Sequence, residues 1–237
     1  MAREKGGFWL GAAVGLFYPA AWVAGHRMFV GEEHIPQTGP AIIAANHISY
    51  LDPVYTAVFV HHAGRIPRFM AKHTVMGLPL IGTLARKLQQ IPVYRGGPDA
   101  RESLRAALQA LDDGKTVIIY PEGTITRDPD FWPMRARTGV ARLALECDVP
   151  VIPLVHWNTH LVYDHYHGKK FRPLPRKTIV TQAGGPIDLS AFRGRPIDGP
   201  LMREVTDEVM RAVRDVLAAV RGEQAPERFY LPQQGRG

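Results

Sequence analysis

Short apolar runs recur along this chain at strand length, separated by stretches of helical period, and that alternation leaves few folds open. The runs are AIIAA at 41–45, RFMAK at 68–72, IPVY at 91–94, TVIIY at 116–120, VPVIPLV at 149–155 and TIVTQ at 178–182. Several are apolar at consecutive positions, as strands covered on both faces are. Between them, 99–112 puts Leu104, Ala107, Leu108 and Leu111 on one helical face and exits through Asp112, Asp113 and Gly114. Segments 138–146 and 201–220 keep the same period, and DPVYTAVFV opens at Asp52 with an Asp-Pro pair suited to a helix start. Strand and helix in alternation predict an α/β fold, with a mostly parallel central sheet flanked by helices. At 46% hydrophobic residues, a chain of 237 has enough apolar surface to cover such a sheet.

The N-terminus departs from this rhythm. Phe8 to Gly25, FWLGAAVGLFYPAAWVAG, holds no charged residue and is flanked by Arg3, Lys5 and Arg27. Its eighteen residues, as helix, reach roughly 27 Å, short of a hydrocarbon core of about 30 Å. Pro19 is expected to kink it. A helical segment associated with one leaflet fits best; a signal sequence and a buried core helix are the other readings. Residues 1–30 are therefore expected as an N-terminal membrane-associated segment, 31–222 as the main domain, and 223–237, rich in Gln, Pro and Gly, as a tail.

Charge narrows the partners. The net charge of +7 favours anionic ones, but basic residues interleaved with aromatics on one face, the footprint of a nucleic-acid binder, are missing. A single cysteine, Cys147, excludes an internal disulfide and a four-cysteine metal site. The segment HWNTHLVYDHYH at 156–167 is rich in histidine, but its spacings match no standard ligand set, and it is expected as a polar loop. The basic run that follows, Lys169, Lys170, Arg172, Arg176 and Lys177, is suited to anionic lipid or an acidic carrier, or to plain solvation.

Three strand ends carry candidate chemistry. After 41–45 come Asn46 and His47, then Asp52 at the head of a helix. A turn at Ile48-Ser49 lets Asp52 accept a hydrogen bond from His47, leaving the other ring nitrogen as a general base; a simple helix cap explains Asp52 but not His47. After 116–120, Pro121 and Gly123 enforce a turn from which Glu122 and Arg127 extend. Lys72 and His73 follow 68–72, and Arg95 follows 91–94. If the sheet brings these ends together, they suit a phosphate; singly, each is an ordinary surface charge.

Four stretches in this order resemble the glycerolipid acyltransferases: NHISYLD at 46–52 (Asn-His, four residues, Asp), IPVYR at 91–95, YPEGT at 120–124 and VPVIPL at 149–154. The likeness covers about residues 35 to 185 and is nearest to the bacterial 1-acylglycerol-3-phosphate (lysophosphatidate) branch. It implies that the main domain is an acyltransferase domain with His47 and Asp52 as its catalytic pair. It also implies substrate contacts from Lys72, His73, Arg95, Glu122, Gly123, Thr124 and Arg127. The family usually reads Glu-Gly-Thr-Arg, whereas Ile125 stands here in place of the arginine and Arg127 follows two positions later. That shift leaves glycerol 3-phosphate or another lysophospholipid open as acceptor.

The reaction so implied is acylation of lysophosphatidate to phosphatidate, with acyl-CoA or acyl-carrier protein as co-substrate and no cofactor or metal. Its setting would be the cytoplasmic face of the cell membrane, against a phospholipid surface. A basic membrane-attached lipid-binding protein is the non-enzymatic alternative. A hydrolase using the same pair lacks a Gly-x-Ser-x-Gly turn.

Overall fold

The computed structural model describes residues 6–94, 100–166 and 171–232. Helix α1 (Phe8–Ala24) runs without a linker into strand β1 (Gly25–Val30). Then follow β2 (Ala41–Ala45), α2 (Asp52–His62), β3 (Pro67–Lys72), α3 (Ile81–Lys87) and β4 (Ile91–Val93). The second half adds α4 (Ala100–Asp112), β5 (Thr116–Ile119), α5 (Gly139–Glu146), β6 (Val151–Trp157), a single turn α6 (Thr159–Val162), β7 (Lys177–Ala183) and α7 (Gly199–Arg221). Among the described residues the strands form one sheet in the order β1-β7-β6-β2-β5-β3-β4. Only β6 and β7 pair antiparallel; all other neighbours are parallel. The expected α/β architecture is the observed one.

Side-chain alternation divides the core into two layers. Ile42, Ala44, Val117, Ile119 and Val151 meet the apolar faces of α4, α5 and α7. Ile43, Ala45, Ile118, Ile152 and Leu154 point to the opposite face, where Phe59 and Val60 of α2 cover them. Because both faces are sealed, the central strands read as unbroken apolar runs. α7 is the longest brace. Asp198 caps its start by accepting from the Leu201 amide at 2.8 Å, and Gly222 ends it in the left-handed conformation.

The N-terminal region differs from expectation at its C-terminal end. Residues 25–30, expected inside a membrane segment, form the edge strand of the sheet, paired parallel with β7. Gly25 makes this possible, since a Cβ there would stand 2.6 Å from the Lys177 carbonyl oxygen. α1 itself remains one helix through Pro19 and docks on the domain: Ala21 and Ala24 are buried against Tyr55 and Val58 of α2. Its other sides expose Phe8, Leu16 and Trp22. Among the described residues, no helix is long and apolar enough to cross a membrane.

The basic run is partly absorbed by the fold. Lys169 and Lys170 lie outside the described residues. Arg176 donates to the carbonyls of Trp22 and Gly25 at 2.5 and 3.1 Å and stacks on Trp22. A cation there closes the C-terminal end of α1, where carbonyls lack helical partners.

Candidate active site

The site forms where the parallel strands end, as ligand sites of open α/β sheets do. At the end of β2 the ladder is continued by a side chain. Asn46 accepts from the His156 amide at 2.7 Å and donates to its carbonyl at 3.1 Å, substituting for a backbone pair as β2 leaves β6. The chain then turns. Ser49 donates to the Tyr163 carbonyl at 2.7 Å and accepts from the Leu51 amide, and Asp52 starts α2 with Pro53 behind it.

This turn brings His47 and Asp52 together: Nδ1 of the imidazole lies 2.9 Å from Oδ2 of the carboxylate. Asp52 is fully buried, whereas the His47 side chain keeps 13% exposure. The same Oδ2 accepts the amides of Ile48 and Ser49 at 2.6 and 2.8 Å, and Oδ1 accepts the Thr159 hydroxyl at 2.6 Å. Burial alone would raise the Asp52 acid, but the bond from His47, joined by the electrostatic pull of the neighbouring histidines and the Thr159 bond, outweighs it and holds the acid below its usual range. An ionised Asp52 makes Nδ1 the donor, so Nε2 is the free, basic nitrogen.

The turn after β5 is fastened to His47 at both ends. Glu122 accepts the His47 amide at 3.1 Å through one oxygen and the Met134 amide at 2.9 Å through the other. The Thr126 amide donates to the His47 carbonyl at 2.7 Å. Tyr120 stacks on the His47 ring with centroids 4.5 Å apart, and its hydroxyl meets Thr56 at 2.8 Å. Thr56 in turn contacts Nε2 of His156 at 2.7 Å. Burial lowers the His156 pKa to about 4, so this histidine is a neutral brace.

Glu122 therefore departs from the expected substrate contact. It is buried, both oxygens serve backbone amides, and burial raises its pKa to about 8. Gly123, at φ +72°, and Thr124 line a cavity that opens beside His47. The amides of Thr124 and Ile125 have no hydrogen-bond partner among the described residues. Lys72 lines the cavity; His73 sits beyond it, exposed and stacked on Tyr94. Arg127 is exposed and off the cavity wall, whereas Arg137 lies against Gly123, where a Cβ would stand 3.2 Å from its Nε. Arg95 lies outside the described residues.

The cavity, about 750 Å³, is walled by apolar side chains of α1 (Leu10, Val14, Phe17), α3 (Leu84), Leu88 just after it, and β3 (Phe69). It is large enough for a fatty acyl chain, and His47, Tyr120 and Thr124 stand on its lining. The segment 156–167 is not the loop expected. His156 and Trp157 belong to β6, Thr159 to Val162 form α6, and Thr159 is buried against Asp52. His167 lies outside the described residues. Thr159, Thr56 and Arg137 escaped sequence reading because their partners are far away in the chain. The aromatic end of TVIIY was the only local hint of Tyr120.

A family model described as Acyltransferase matches residues 26–157. The 1-acyl-sn-glycerol-3-phosphate acyltransferase of Borreliella burgdorferi is 27% identical over 59% of this chain and 54% of its own length. The like-named protein of Limnanthes douglasii is 29% identical over 60% and 49%. An N-acylphosphatidylethanolamine synthase of Arabidopsis thaliana is 29% identical over 65% and 57%. The chain thus spans about half the length of these relatives. The crystal structure of the 1-acyl-sn-glycerophosphate (LPA) acyltransferase PlsC from Thermotoga maritima shares the fold, with a TM-score of 0.65. It is 24% identical, and the match covers 88% of this chain and 80% of that one.

Proposed function

Since the chain belongs to the acyltransferase family, we propose that it moves an acyl group from acyl-CoA or acyl-carrier protein to the hydroxyl of lysophosphatidate, forming phosphatidate for phospholipid synthesis. One observation carries this reading: a His47–Asp52 pair at 2.9 Å presents its imidazole to a largely apolar cavity of about 750 Å³. His47 Nε2 takes the hydroxyl proton as that oxygen attacks the thioester carbon. Asp52 stays ionised and steadies the imidazolium. The amides of Thr124 and Ile125 stabilise the oxyanion. The carbon–sulfur bond then breaks and the departing thiolate takes the proton from the imidazolium. No acyl-enzyme and no cofactor enters this scheme.

The acceptor phosphate falls to basic groups around the Gly123 turn. Lys72 on the cavity wall and Arg137 beside Gly123 are two described ones, with His73, Arg127 and Arg95 as the others carried from the family pattern. The buried Ile125, standing where an arginine is usual, favours a second reading in which the acceptor is glycerol 3-phosphate or another lysophospholipid. The exposed apolar side chains of α1 support a setting at a membrane surface, and the cytoplasmic face of the cell membrane is part of the same proposal. The test offers lysophosphatidate, glycerol 3-phosphate and other lysophospholipids with acyl-CoA and acyl-carrier protein donors, and identifies products by mass spectrometry. Phosphatidate from lysophosphatidate supports the first reading. No acylated product from any pair overturns both.

A further inference from the structure

We propose that residues 78–81, the loop entering α3, form a second lipid-inserting prong that seats the cavity mouth on an anionic bilayer leaflet. The inference rests on the reading that the substrates are lipids. Leu80 lies at φ 58° and ψ −59°, and the Ile81 amide donates to the Pro79 carbonyl at 2.6 Å. That is a γ-turn of the rare, strained hand, with a leucine where a side chain is disfavoured. The strain holds Leu80 outward at 86% exposure, between the exposed Leu78 and Ile81. A strained apolar tip in water contributes nothing to the core, and such strain is concentrated at functional sites.

The surroundings identify the occupant. One side of α3 and one side of α1 both line the cavity. Lys87, at the end of α3 away from the prong, lies 5.9 Å from the ring of Trp9, so α3 and α1 are neighbours at that end, and Ile81 of the prong itself lines the cavity. From Asp52 to Asp99 the sequence contains no intervening acidic residue, while Lys72, His73, Arg86 and Lys87 flank the prong. An apolar tip on a basic stretch of chain without acidic residues complements an anionic lipid surface. A second copy of this chain, itself at +7, would be repelled.

The test uses the full chain and flotation with phosphatidylcholine vesicles, with and without phosphatidylglycerol. Leu80→Gly suits the turn, so its thermal midpoint should match or exceed that of the wild type while vesicle affinity falls about tenfold. Leu80→Asp should fall further. Both should acylate a monomeric short-chain acceptor normally and a vesicle-borne one poorly. Wild-type affinity in both variants, or binding indifferent to phosphatidylglycerol, overturns the prong. A concentration-dependent dimer abolished by Leu80→Asp also overturns it, making the tip a self-interface. Flotation does not depend on catalysis, so an inactive wild type would refute the proposed reaction and leave the prong to be judged separately.

Discussion

Replacing Glu122 with Gln should turn a pH-dependent part of the stability into a flat one. In the native protein burial raises this carboxyl from 4.5 to about 8, while the unfolded chain releases the same proton near the ordinary value. Between those limits the native state holds a proton that the unfolded state has lost. The contribution is therefore complete below about pH 4.5 and is lost as pH rises towards 8. Each pH unit in that window costs about 1.4 kcal/mol, so pH 5 to 8 removes up to about 4 kcal/mol. Gln does not titrate. It keeps one oxygen for one amide but turns an NH₂ towards the other, which costs about 1–3 kcal/mol at every pH. The wild type should be the more stable protein at pH 5, and the variant should equal or exceed it by pH 8. Urea unfolding of both proteins at pH 5, 6, 7 and 8 measures the crossing. A stability difference that stays constant over this range would refute a protonated, buried Glu122.

His47→Ala should slow transfer by about 10²-fold or more in a folded protein, measured as initial rate with saturating donor. Asp52→Asn should fold, because its amide oxygen can keep the donors on the Oδ2 side while the Thr159 hydroxyl turns from donor to acceptor, yet lose much of the rate because no charge then steadies the imidazolium. Thr159→Val removes a hydrogen bond to a buried carboxylate; a stability loss of about 1.5–3 kcal/mol and a shifted pH–rate profile are expected, by denaturant titration and kinetics. Lys72→Ala and Arg137→Ala should each raise KM for a phosphorylated acceptor about tenfold or more while leaving that of the donor, with Arg127→Ala weaker in effect.

What the sequence made legible was local. Runs such as TVIIY and the period of 201–220 declare themselves because burial on both faces, or on one helical stripe, leaves a pattern within a few residues. The His47–Asp52 contact was readable for the same reason: one turn closes it. β1 was not, because GHRMFV is an edge strand with a single buried glycine at its start, and its partner β7 follows only at Lys177. Nor was the role of Glu122, whose oxygens find amides at His47 and Met134 rather than a substrate. Thr159 looked like part of a polar loop until β6 and α6 carried it under Asp52. Residues 73–87 hold no strand-like run and only a short helix, and their place as a cavity wall depends on α1 opposite.

The junction at Gly25 has a mechanical consequence. A helix anchored through a flexible tether lets its cargo tumble above a surface; here Ala24 is the last residue of the helix and Gly25 the first of a strand hydrogen-bonded into the sheet. Arg176 and the burial of Ala21 lock the corner further. α1 is thus a lever welded to the sheet, and its angle at an interface fixes the heading of every strand. The imidazole at the end of β2 would then meet each lipid at one height and one bearing, with no swivel to average over.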